Sequence, residues 1–163
     1  MADVAIAAPA LALSPPAIAR WLALLVPAGL LGGALGSQYL GGLYPCEMCY
    51  WQRWPHGVAI AVAATAFVAG PSRARQLTLF AAGAIAVSGA IGGYHALVEL
   101  GILEGLTTCT ASAGSLADIL ATPLVRCDQI QFAFLGISMA GWNAIISLGS
   151  AVVIAWLVWS ARK

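Results

Sequence analysis

Charged residues are scarce in this chain of 163 residues: lysine, arginine, aspartate and glutamate together make up only 8% of it, whereas 61% of it is hydrophobic. A soluble domain usually carries about a quarter charged residues, so the composition excludes an ordinary water-soluble protein. The net charge is only +1 and gives no indication of nucleic-acid binding. The length suits one domain. We therefore predict a polytopic membrane protein.

The beginning of the chain lacks the basic segment of a signal peptide, since Asp3 and Arg20 are the only charges in the first 20 residues. Several prolines in this stretch argue against a long helix. We predict that residues 1–20 form a cytoplasmic tail.

Four apolar runs approach or exceed the 20 or so residues that a helix needs to cross a bilayer. The predicted fold is an all-α membrane protein, a bundle of four transmembrane helices within residues 21–159. The predicted spans cover about 21–40, 54–69, 77–98 and 132–159; the loops cover about 41–53 and 99–131, and a short tail covers 160–163.

Basic residues are distributed unevenly between the predicted loops. Five lie on one side of the bundle: Arg20, Arg73, Arg75, Arg162 and Lys163. Only Arg53 and Arg126 lie on the other. By the positive-inside rule, both termini are cytoplasmic and the two longer loops are extracytoplasmic.

Cysteine is also rare, and all four cysteines fall in the two outer loops: Cys46, Cys49, Cys109 and Cys127. Disulfides form and persist on that side of a membrane. Four cysteines allow three pairings, and the sequence alone does not select one. Proximity along the chain suggests 46–49 and 109–127.

The first pair forms a Cys-x-x-Cys motif with features typical of a reactive dithiol. Pro45 suits the first position of a helix, which would place Cys46 and Cys49 in the first turn, where the helix dipole stabilises a thiolate. Arg53 follows Cys49 by four residues and would reach the same face. The alternative is a plain stabilising disulfide in a non-catalytic membrane scaffold.

Histidine occurs only twice, as His56 and His95, which is weak support for a haem protein. Zinc sites usually show two closely spaced cysteine pairs, and Cys109 and Cys127 are far apart. We predict no metal site.

Together these motifs resemble the bacterial disulfide bond formation protein B (DsbB) family. The similarity rests on Pro-Cys-x-x-Cys-x-x-Gln-Arg at 45–53, on Tyr94-His95 with Glu99, and on Cys127-Asp128 followed by the segment 134–142. Vitamin K epoxide reductase-like enzymes also join cysteine pairs to a quinone, but they carry the quinone-side pair late in the bundle. Here that pair precedes the second span.

The resemblance implies an enzyme of the bacterial inner membrane, a protein dithiol:quinone oxidoreductase. It would reoxidise a periplasmic thioredoxin-like (DsbA-like) oxidase and pass the electrons to ubiquinone or menaquinone from the membrane pool, in support of disulfide formation. Cys109 would be attacked by the partner, and Cys127 would exchange with Cys46. Cys49 would be the thiolate facing the quinone. Three further residues would contact the quinone: Arg53, His95 and Met139.

Overall fold

The computed structural model describes residues 14–106 and 125–161. These contain four long helices and one small hairpin. The helices are α1 (Pro15–Tyr39), α2 (Glu47–Ala66), α3 (Pro71–Glu99) and α4 (Met139–Ser160). The hairpin precedes α4 and pairs β1 (Ala133–Phe134) with β2 (Ile137–Ser138) in antiparallel register. The described part of the chain is thus a helical bundle, as predicted, with one short addition.

Three of the helices, α1, α3 and α4, are long and apolar enough to cross a membrane. α2 carries most of its polar side chains in its first three turns: Glu47, Gln52, Arg53 and His56. The structure therefore supports three candidate spans. That α2 also crosses the membrane remains a prediction.

All four helices start elsewhere than the apolar runs indicated. α2 at Glu47 and α3 at Pro71 begin before the predicted spans, which start near residues 54 and 77. α1 begins at Pro15, inside the predicted tail, because consecutive prolines occupy its first two positions, where a missing N–H costs no hydrogen bond. α4 begins at Met139 instead of near residue 132. The intervening residues form the hairpin, whose turn holds Leu135 and Gly136 at positive φ, and the Ser138 side chain then caps the helix by accepting the Gly141 N–H.

Small side chains allow the helices to approach closely. The central cluster is built largely of alanines with two fully buried isoleucines, Ile85 and Ile154. α3 packs extensively on both α2 and α4. At Gly92 a Cβ atom would lie only 2.9 Å from the Ala140 carbonyl oxygen, so α3 and α4 touch there through their backbones. This contact brings the polar residues of three helices together near the end of the bundle that carries the Cys-x-x-Cys motif.

Candidate active site

The Cys-x-x-Cys motif forms the start of α2, but the helix begins two positions later than predicted, at Glu47 instead of Pro45. Cys46 is the N-cap, and its sulfur accepts the Cys49 N–H at 3.3 Å, so Pro45 lies just outside the helix. The Cys46 thiol also donates to the Cys49 sulfur, with the two Sγ atoms 3.0 Å apart. This hydrogen bond, followed by burial, raises the pKa of Cys46. Cys46 is therefore the member of the pair that retains its proton.

Arg53 lies on the Cys49 side of α2, as the spacing predicted. Its guanidinium donates to Gln38 Oε1 at 2.5 Å and to the Ala34 carbonyl at 3.2 Å, both on α1. It also lies 5.2 Å from the Tyr50 ring centroid. The hydrogen bond from the Cys46 thiol lowers the pKa of Cys49, and the positive charge of Arg53 adds to this effect, so both favour a thiolate at Cys49. Nε of Arg53 is buried without a hydrogen-bond partner, which leaves one donor of the guanidinium available.

The second loop returns to the first cysteine pair. Cys127 is buried beside Cys46, and the two Sγ atoms and His95 Nε2 all lie within 4.8 Å of one another. His95 Nε2 is 3.6 Å from Cys46 Sγ and 3.2 Å from the Cys127 carbonyl oxygen. Cys109 lies outside the described residues, so its suggested pairing with Cys127 stays a prediction.

Cys127 is flanked by a charged pair on the surface. The Arg126 guanidinium donates to both carboxylate oxygens of Asp128. These hydrogen bonds hold the pKa of the exposed Asp128 carboxyl below its usual range. The pair thus places one charged residue on either side of the buried cysteine.

A buried polar network extends from His95 into the bundle. Gln52 Nε2 contacts His95 Nδ1 at 2.9 Å, and Gln52 Oε1 accepts from Asn143 Nδ2 at 2.8 Å. Asn143 Oδ1 lies 2.9 Å from His56 Nε2 and accepts from Ser147 Oγ. Ser88 Oγ lies 2.9 Å from the same nitrogen of His56. The network thus joins α2, α3 and α4.

Sequence reasoning missed most of this network. Gln52 was noticed only as part of the family motif, and His56 only as an isolated histidine. The available signal was the presence of Asn143 and Ser147, four residues apart and therefore on one face, within a strongly apolar run.

A cavity of about 320 Å³ adjoins these residues. The predicted site residues on its wall are Cys46, Cys49, Arg53, His95 and Met139. The remaining apolar wall comes mainly from α1 and the loop that follows it, whereas the segment that leads into α4 adds Phe132 and three polar residues, Arg126, Gln129 and Gln131. Pockets of this size with a few convergent polar groups are typical of small-molecule sites. The cavity could hold a small, largely apolar molecule beside Arg53.

The three donors of the Cys46–Cys127–His95 cluster are close enough for metal ligation. The hydrogen bonds around the His95 ring, however, argue against metal ligation. Gln52 donates to Nδ1, which places the ring proton on Nε2, and a protonated Nε2 donates a hydrogen bond instead of ligating.

Comparisons with known proteins agree with this geometry. The family model for "Disulfide bond formation protein DsbB" matches residues 16–157. A disulfide bond formation protein B from Aromatoleum aromaticum is 34% identical over 152 residues, covering 85% of this chain and 88% of the relative. Proteins of the same name from Marinobacter nauticus and Methylococcus capsulatus are each 30% identical, covering 77% and 87% of this chain and 83% and 93% of the relatives.

No solved structure matches the chain. The family match spans all four helices, and the relatives are similar over most of their own length. The resemblance seen in the sequence motifs is confirmed: the chain belongs to the DsbB family of membrane proteins for disulfide bond formation.

Proposed function

We propose that this protein is a dithiol:quinone oxidoreductase of the bacterial inner membrane. It reoxidises a periplasmic DsbA-like thiol oxidase and passes the electrons to ubiquinone or menaquinone. The observation that carries the proposal is the position of Cys127 beside Cys46, while Cys49 and Arg53 face the adjoining cavity.

The proposed relay uses the two cysteine pairs in series. A thiolate of the partner attacks the disulfide of the second loop at Cys109 and releases Cys127. The Cys127 thiolate attacks Cys46 in the 46–49 disulfide, so that a 46–127 bond forms and the electron pair leaves on Cys49. Thiol–disulfide exchange requires such an accessible sulfur and a good leaving group. Arg53 stabilises the Cys49 thiolate that results. The partner's second thiol then releases the partner from Cys109, and Cys109 displaces Cys46 from Cys127, which leaves Cys46 and Cys49 as a dithiol.

The cavity residues fit a quinone headgroup. Arg53 has a buried, unpartnered Nε, and the surrounding wall is mostly apolar. A quinone held in the cavity would accept two electrons from the Cys46–Cys49 dithiol, whose 46–49 disulfide would be restored, and the protein would contribute orientation and charge. Met139 and His95 would complete the wall of the site.

The proposed topology places both termini in the cytoplasm and both cysteine loops in the periplasm, with α2 as a fourth span. It rests on the distribution of lysine and arginine. Labelling of single introduced cysteines from either side of the membrane would test it.

The function is tested by quinone reduction with purified protein and a reduced thioredoxin-like periplasmic oxidase. We expect turnover by the wild type and its loss in Cys109→Ser. A folded protein with intact disulfides that reduces neither ubiquinone nor menaquinone analogues would contradict the proposal and favour a non-catalytic scaffold. A haem protein would instead show a strong Soret band.

A further inference from the structure

The orientation of the Gln52 side chain follows from its neighbours. Gln52 Nε2 lies 3.1 Å from the Met48 carbonyl oxygen, which can only accept, so this end of the amide must be the NH₂ group. The opposite end, Oε1, accepts from Asn143 Nδ2. The Asn143 amide is fixed in the same way, since its Nδ2 lies 3.2 Å from the Ser88 carbonyl oxygen. Two backbone carbonyls thus determine the direction of both amides.

This orientation determines the tautomer of His95. The second hydrogen of Gln52 Nε2 points to His95 Nδ1 at 2.9 Å, so Nδ1 is the acceptor nitrogen. A neutral imidazole has one donor and one acceptor nitrogen, and its proton must therefore lie on Nε2. That N–H faces the Cys127 carbonyl oxygen at 3.2 Å and the Cys46 sulfur at 3.6 Å.

We propose that Gln52 and His95 form a clamp that holds Cys127 against Cys46 for disulfide exchange. His95 donates from Nε2 to the Cys127 backbone and contacts the Cys46 sulfur. Gln52 is a positioning residue that keeps the proton on Nε2. This inference rests on the proposed function, because it assigns a role in the exchange between the two cysteine pairs.

The clamp acts on one balanced step. The Cys127 thiolate attacks Cys46 Sγ, the 46–127 bond forms, the 46–49 bond breaks, and Cys49 leaves as a thiolate. No proton is transferred in this step. The hydrogen bond from His95 is made to a backbone carbonyl, so it is available both before and after the new bond forms. This hydrogen bond holds the Cys127 sulfur near the Cys46 sulfur and so raises the effective concentration of the one thiol at the other.

The clamp is tested in the full chain carrying Cys49→Ser and Cys109→Ser, which leaves only Cys46 and Cys127. The protein is equilibrated with reduced and oxidised glutathione, free thiols are alkylated, and the masses give the fraction with a 46–127 disulfide. The effective concentration of the Cys127 thiol at Cys46 follows from this fraction. We expect His95→Phe to lower it about fivefold, the effect of one neutral hydrogen bond. We expect His95→Gln, which retains a donor, to recover most of the loss.

His56→Phe is the matched control. It removes an equally buried imidazole, with 3% of His56 exposed against 2% of His95, from a residue that reaches the cysteines only indirectly, through Asn143 and Gln52, so we expect its effect to be clearly the smaller one. If His95→Phe and His56→Phe have equal effects, the clamp is refuted. The assay needs neither quinone nor partner, so it succeeds or fails independently of the turnover experiment.

The role of Gln52 has its own spectroscopic test. With His56 replaced by Phe, His95 is the single histidine of the chain, and its ¹⁵N chemical shifts report which nitrogen carries the proton. We expect the Nε2–H form in that protein and a mixture of both forms after Gln52→Met. A ring protonated at Nδ1 while Gln52 is present would overturn the assignment.

Discussion

The contact between α3 and α4 at Gly92 predicts a large effect from the addition of one methyl group. In Gly92→Ala the new Cβ would lie 2.9 Å from the Ala140 carbonyl oxygen, 2.9 Å from Asn143 Nδ2 and 3.2 Å from the Ala144 nitrogen. Two of these atoms belong to the backbone of α4, so a rotamer change cannot relieve the contact and the helices must separate. Overpacking of this kind costs about 1–3 kcal/mol.

The neighbouring glycine provides the control. In Gly93→Ala the nearest atom is Ala144 Cβ at 3.8 Å, an ordinary van der Waals contact. Alanine is also favoured over glycine inside a helix by up to about 1 kcal/mol. We therefore expect Gly93→Ala to be neutral or stabilising, and Gly92→Ala to lower the free energy of unfolding.

The assay is unfolding of the purified protein in detergent micelles, followed by far-ultraviolet circular dichroism, with both variants compared with the wild type. A protein of this size loses roughly 2–4 °C in melting temperature for each kcal/mol. Equal melting of Gly92→Ala and Gly93→Ala would refute the close approach of α3 and α4 at this position.

Three further predictions concern the site. Arg53→Ala should impair quinone reduction more than binding of the thiol oxidase. Arg53→Lys should recover only part of the loss, because a point charge does not replace a planar guanidinium that donates hydrogen bonds to Gln38 and Ala34. Quinone reduction by Arg53→Ala equal to that of the wild type would contradict this role. In reduced protein lacking Cys109 and Cys127, ultraviolet absorbance should show one thiolate forming below the ordinary cysteine range, because the hydrogen bond from Cys46 and the Arg53 charge lower the pKa of Cys49, whereas the raised pKa of Cys46 keeps that thiol protonated. Cys49→Ala should bring Cys46 ionisation to lower pH, and two thiolates forming together would count against the assignment. Asn143→Leu should lower the free energy of unfolding by about 1–3 kcal/mol, because it removes hydrogen-bond partners of Gln52, His56 and Ser147. A free energy of unfolding equal to that of the wild type would contradict a stabilising role for this network.

The sequence was sufficient for those features that depend on one segment at a time. Apolar runs located the helices, and the four-residue spacing from Cys49 placed Arg53 on the correct side of α2. The helix starts were less accurate. A hydropathy pattern does not separate the hairpin, residues 133–138, from the similarly apolar first turns of α4.

The contacts that define the site depend on how helices are rotated against one another. Spacing along α2 places Gln52 and His56 on one face, but it does not indicate that Asn143 of α4 lies between them. The approach of Cys127 to Cys46 likewise depends on a contact between residues that lie far apart in the chain, which spacing does not indicate. Only the family resemblance suggested that exchange, and the structure supplies the proximity.

The polar network also connects packing to chemistry. Hydrogen bonds between helices inside a membrane stabilise a bundle only modestly, by about 0.6 kcal/mol each, so stability alone is a weak reason for six polar side chains to meet between α2, α3 and α4. One end of the network is the His95 ring beside Cys46, and the other end includes Asn143, which a methyl group at Gly92 would displace. A disturbance of the α3–α4 contact should therefore reach the cysteines through Asn143 and Gln52. On this reasoning Gly92→Ala lowers both the effective concentration of Cys127 at Cys46 and the melting temperature. Gly93→Ala lowers neither quantity.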